Sequence, residues 1–175
     1  MLIKKWELIK IFKINTAIKI ILFLIILTFF LPFFVVSCGE QELSVSGLET
    51  ATVIKNGNYV VLDGNPAAFI LIIPAAILLI LTFFTGKIKE EIKNSFFFKN
   101  IFMFAAVFNI FAAVTIRIAA QIIINKEIAG LHRGLADFVT FRAGYGFILY
   151  IILNAALLVL SGANYFVNLR NNLLE

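Results

Sequence analysis

Apolar residues fall into four long runs along this chain, separated by shorter polar segments. The runs cover 20–36, broken only by Thr28 and Pro32; 67–84, with Pro74 inside it and Gly86 just beyond as a helix stop; 101–124, which carries Asn109, Arg117 and Gln121; and 146–167. As helices they would be about 26, 27, 36 and 33 Å long, enough to cross a hydrocarbon layer of about 30 Å. The pattern predicts an all-α membrane fold: a four-transmembrane-helix bundle forming a single integral membrane domain over 1–175.

Between the first two runs, 37–66, the pattern changes from helical to extended. Residues 42–46, 50–54 and 58–62 are short β-prone runs, and Asn56-Gly57 between the last two is a strong hairpin signal. Ser46-Gly47 makes a second turn. Asp63-Gly64-Asn65-Pro66 ends the last strand and opens the second helix, with Pro66 suited to a first turn. A small antiparallel β-meander in this first outer loop is expected, leaning on the bundle because an isolated hairpin is marginal.

Composition supports the membrane reading. The chain is 62% hydrophobic and 14% charged, with 20 Phe among 175 residues, well outside the range of soluble domains. The net charge of +5 does not point to nucleic acid, because the bases flank apolar runs instead of clustering on a polar surface. Lys4, Lys5, Lys10, Lys13 and Lys19 precede or edge the first run, and Lys87, Lys89, Lys93 and Lys99 lie between the second and third. The other connections hold Lys55, then Lys126, Arg133 and Arg142. The positive-inside rule then predicts a multi-pass protein of the cell membrane with both termini cytoplasmic and 37–66 outside. Residues 1–18 interleave Lys with Leu, Ile, Trp6 and Phe12. They read either as an interfacial extension of the first span or as the basic region of an export signal.

The stretch LeuProPhePheValValSerCysGly (31–39), the following GlyLeuGluThrAlaThr (47–52) and the GlyTyrGlyPhe opening of the fourth run (144–147) resemble a group of small four-span bacterial membrane proteins without assigned function. A bias to Ile, Lys, Asn and Phe suits an AT-rich bacterial genome. The topology is also similar to that of claudins, whose first outer loop forms a small sheet; the cysteine pair of that family has no counterpart in a chain with one cysteine. Neither resemblance implies a catalytic residue.

Candidate functional residues are few. Cys38 closes Val35-Val36-Ser37-Cys38, a fit to the lipobox at which a lipid-modified cysteine becomes the new N-terminus; a plain interfacial thiol is the competing reading. Arg117 is the one charge deep in an apolar run. It lies about 10 Å from the end of its helix, reads as a snorkelling or structural residue or as a ligand or lipid contact, and is followed at helical spacing by Gln121 and Asn125. His132, Arg133 and Asp137, in a segment with the spacing of a short interfacial helix, lack a nucleophile beside them, and no enzyme activity is expected. No cofactor or metal site is expected.

Small residues recur at seven-residue spacing, as Ala pairs at 105–106, 112–113 and 119–120 and again as Ala155-Ala156 and Gly162-Ala163. This predicts close packing of the third and fourth helices. Matching polar groups by depth pairs Asn109 with Ser161 and directs Arg117 to Asn154 or to the head groups. The expected function is that of an accessory or interaction subunit whose outer β loop contacts a membrane protein partner. The alternative is an oligomeric transport or channel component using Arg117, Gln121, Asn109, Asn154 and Ser161. The lipid bilayer is the expected environment, a protein partner or a second copy the expected contact, and nucleic acid is not expected.

Overall fold

A computed structural model describes residues 2–38, 40–52, 54–56, 59–62, 64–84, 96–130 and 139–172. The chain order is helix α1 (Leu2–Thr28), strands β1 (Pro32–Cys38) and β2 (Gln41–Ser46), helix α2 (Gly47–Ala51), strands β3 (Ile54–Asn56) and β4 (Tyr59–Leu62), a 3-10 helix (Pro66–Leu71), helix α3 (Ile73–Phe84), helix α4 (Phe96–Gly130), strand β5 (Val139–Ala143) and helix α5 (Tyr145–Asn172). The protein is thus mostly helical. Three helical segments are long and apolar enough to cross a membrane, Pro66–Phe84, Asn100–Lys126 and Tyr145–Ala163, and α1 contributes the shorter apolar stretch Ile14–Thr28.

Each helix buries a narrow stripe at alternating three- and four-residue spacing. The stripes are Ile18, Leu22 and Ile25 from α1, continued by Phe29 just past its end; Ala68, Leu71, Ala75 and Leu78 through the 3-10 helix into α3; Ala106, Asn109 and Ala113 from α4; and Phe147, Tyr150, Asn154, Leu157 and Ser161 from α5. That spacing is the a/d seam of left-handed helix packing. Helix α4 packs on α5, α5 on α1, and α1 on α3, while α3 touches α4 to close the ring. The remaining faces are apolar and bare: Phe83, Phe111 and Val159 are each about 70% exposed. Bare aromatic and aliphatic faces this extensive are not those of a soluble protein, and they suit lipid contact.

The first apolar run does not form one span over 20–36. Helix α1 stops at Thr28, its end tightened by successive bonds from the amides of Phe29, Phe30 and Leu31 to the carbonyls of Ile26, Leu27 and Thr28 (3.2, 3.1 and 3.0 Å). Pro32 cannot continue the ladder, and the β-prone Phe33-Phe34-Val35-Val36 becomes the centre of a sheet. The sheet order is β2-β1-β5. It is therefore not a meander within one loop, because its third strand comes from the connection before α5. Strand pairing puts Val35, Ser37, Glu42, Ser44, Thr140 and Arg142 on one face and Phe34, Val36, Leu43, Val45, Phe141 and Ala143 on the other. The register slips between Pro32 and Phe34, and the extra residue lets neighbouring Phe33 and Phe34 both be buried.

Residues 50–54 are not a strand either. Ser46 caps α2: its hydroxyl accepts from the Glu49 amide (3.2 Å), and the Glu49 carboxylate accepts from the Ser46 amide (2.7 Å). This capping box starts a helix where a turn was expected. The expected hairpin forms, as β3–β4, but Asn56 is a strand residue paired with Tyr59 instead of the first residue of an Asn56-Gly57 turn, with Gly57 and Asn58 between them. Those two residues lie outside the described ones, as do His132, Arg133 and Asp137. The expected interfacial helix there is represented only by the continuation of α4 to Gly130.

Candidate functional site

The three sequence stretches that stand out in the connections meet at one junction, where α1 turns into β1. Leu48 donates its amide to the Phe29 carbonyl (3.0 Å), and Gly144 donates to the Phe33 carbonyl (2.7 Å). A Cβ on Gly47 would sit 2.6 Å from the Phe29 ring, and one on Gly144 only 2.3 Å from the Pro32 carbonyl oxygen. Glycine is required at both positions by close approach, not by a turn. Around the junction, Phe33 meets the rings of Phe29, Phe147 and Tyr150 edge-on at 5.7, 6.0 and 5.6 Å. Phe34 stacks on Phe141 at 5.2 Å. Such contacts add about 0.5–1.5 kcal/mol per pair beyond area burial. The sheet is thereby fixed rigidly to the end of the bundle.

A chain of polar groups runs inward from there. The 3-10 turn at Leu71 leaves its carbonyl facing position 74, a proline without an N–H. The buried Tyr150 hydroxyl donates to that carbonyl instead (2.8 Å). One turn on, the Asn154 amide donates to the Tyr150 carbonyl (2.9 Å). The Asn109 amide in turn donates to Asn154 Oδ1 (3.0 Å). Among the described residues, the buried Asn109 Oδ1 has no partner. In hydrocarbon each unsatisfied polar group is costly, so this chain both repairs a helix break and locks α4 against α5.

These contacts set the heights of the polar residues. Asn109 lies level with Asn154, and Arg117 lies with its guanidinium 5.7 Å from the centre of the Phe147 ring. Carried along that antiparallel register, Tyr145 comes level with Ile118–Ala119, and Ala163 with Asn100. The paired stretches then measure roughly 28 Å, close to a hydrocarbon core, and the Asn109–Asn154 pair sits midway along them. The expectation that paired Asn109 with Ser161 assumed that residue 124 and Tyr145 ended at one height. Ile124 in fact lies about 9 Å past the start of α5, and α4 runs on to Gly130, about 18 Å past it, towards β5. Ser161 accordingly bonds the carbonyl of Leu157 on its own helix.

Arg117 and Gln121 are exposed, and Arg117 does not reach Asn154. The small-residue seam holds on α4 at Ala106, Ala112 and Ala113, which are buried, but not at Ala119, which is exposed, and not on α5: Ala155 is exposed, and the space where a Cβ on Gly162 would point is open. The contact face of α5 is instead the Phe147-Tyr150-Asn154-Leu157-Ser161 stripe, a heptad signal present in the sequence but masked by the alanines beside it.

On the polar face of the sheet, Arg142 of β5 reaches across β1 to Glu42 of β2 (2.6 Å), and Ser37 donates to the same carboxylate (3.3 Å). Both ionic groups are more than half exposed, so the pair adds little stability. It does neutralise Arg142. Cys38 lies at the far end of β1, its backbone paired with Gln41 and Val139. Cleavage before Cys38 would remove α1 and nearly all of the central strand. Comparison of the chain with protein-family models, curated proteins and solved structures finds no match.

Proposed function

We propose that this chain is a non-enzymatic membrane protein with four spans, the fourth supplied by α1, and that it serves as an accessory subunit whose sheet contacts a membrane protein partner. The observation that carries this reading is strand β2. Its residues Gln41 to Ser44 are all exposed, and among the described residues it pairs on one side only. An open edge offers unpaired backbone groups to an added strand. The junction beneath holds that edge in a fixed position, which limits the entropy lost on docking. The lysine distribution supports placing both termini in the cytoplasm and the sheet end outside the cell membrane.

Two measurements test the reading. In a Cys38→Ser background, a cysteine at Asn56 is expected to react with an impermeant maleimide in intact cells while one at Lys89 is not; the reverse pattern would overturn the orientation. A photo-crosslinking residue at Leu43 is expected to capture one discrete protein, whereas the same residue at lipid-facing Phe83 captures lipid. Equal capture at both positions, or none at Leu43, would refute the docking role.

A second reading, an oligomeric transport or channel component, is favoured by one observation: the unpartnered Asn109 Oδ1 midway along the bundle. It predicts a solute-dependent rise in thermal stability that the first reading does not.

A further inference from the structure

We propose that Arg117 and Gln121 form a docking point for the phosphate of an anionic phospholipid at the sheet end of the bundle. The guanidinium is held 5.7 Å from the centre of the Phe147 ring, a cation–π contact that fixes its position without using its N–H donors in hydrogen bonds. Among the described residues it has no hydrogen bond or ion pair. Arg142, also at this end, is taken by Glu42, so among the described residues Arg117 is a cation without a carboxylate partner.

Its height is that of a head group. Arg117 lies level with the first turn of α5, where Tyr145 is 61% exposed; tyrosine at the end of a span marks the polar boundary of a bilayer. Exposed Gln121 stands one turn further from the hydrocarbon, about 6 Å along the axis. It adds an amide donor on the side from which a phosphate would descend. Below Arg117 the exposed Val114 and Phe111 offer a surface for an acyl chain. A guanidinium matches a phosphodiester with two parallel N–H bonds. With no carboxylate paired to it among the described residues, a net-negative head group neutralises the site, whereas a zwitterionic one carries its own competing cation.

The test is native mass spectrometry of the protein released from bilayers of phosphatidylcholine and phosphatidylglycerol in equal amounts. The wild-type protein is expected to retain one phosphatidylglycerol in preference to phosphatidylcholine by about fivefold. Arg117→Gln is expected to abolish the preference, Arg117→Lys to keep part of it, and Arg142→Gln to leave it unchanged. Gln121→Ala, on an exposed surface that does not threaten folding, is expected to weaken it. A preference that survives both Arg117→Gln and Gln121→Ala, or that is absent from the wild type, overturns the proposal. So does an equal thermal shift with inorganic phosphate in detergent, which would make the ligand a soluble anion.

Discussion

Replacing Gly144 by alanine is expected to destabilise the protein by at least ~3 kcal/mol, the upper end of the cost of forcing atoms into a filled site. The new methyl would lie 2.3 Å from the Pro32 carbonyl oxygen and 2.8 Å from its carbon. Both atoms are backbone, so no side chain can swing away. Strand β1 or the start of α5 must move, and the Gly144-to-Phe33 hydrogen bond at 2.7 Å and the ring contacts of Phe33 go with it. Gly162→Ala is the control, because nothing lies within 4 Å of the Cβ it would gain. A helical Gly→Ala change there is expected to be neutral or stabilising by up to about 1 kcal/mol. Unfolding in mixed micelles, followed by loss of helical signal, reads both. A Gly144→Ala protein as stable as the Gly162→Ala protein would mean that the junction is not tightly packed.

The contrast between these glycines also shows what the sequence could and could not reveal. Apolar runs 67–84, 101–124 and 146–167 announced their helices because nothing inside them competes with lipid burial. The run 20–36 was misleading, since a strand with both neighbours in place is as continuously apolar as a helix. The local evidence was Pro32, which biases the residue before it away from helix, and the Phe-Phe-Val-Val that follows. Strand β5 could not be read at all. Residues 139–143 are too short to signal a strand alone, and their partner lies in the distant segment 34–38. The Ser46–Glu49 capping box is legible in the sequence, but Ser46-Gly47 is equally a turn signal, and only the structure shows that the helix wins. At the polar site, residue types were legible but heights were not: Asn109 and Asn154 stood out as amides in apolar runs, while their pairing depended on how far α4 overshoots α5.

That pairing makes a second, quantitative prediction. Asn154→Leu would leave the whole Asn109 side chain without a hydrogen bond midway along the bundle. Asn109→Leu would strand only Asn154 Oδ1, because the Asn154 amide keeps its bond to the Tyr150 carbonyl at 2.9 Å, and it also removes the unpartnered Asn109 Oδ1. Asn154→Leu is therefore expected to cost more, about 2–3 kcal/mol against roughly 1 kcal/mol for Asn109→Leu, given ~1–3 kcal/mol for stranding a buried polar group. The double substitution replaces both amides by apolar groups of similar volume and is expected to cost less than the sum of the single changes, with a coupling of about 1–2 kcal/mol in the cycle. Additive single effects would mean that the two amides do not bond. The Leu pair should also loosen specificity, because Ala106 and Ala113 facing Leu157 and its neighbours pack at more than one heptad, whereas a single amide pair fits only one.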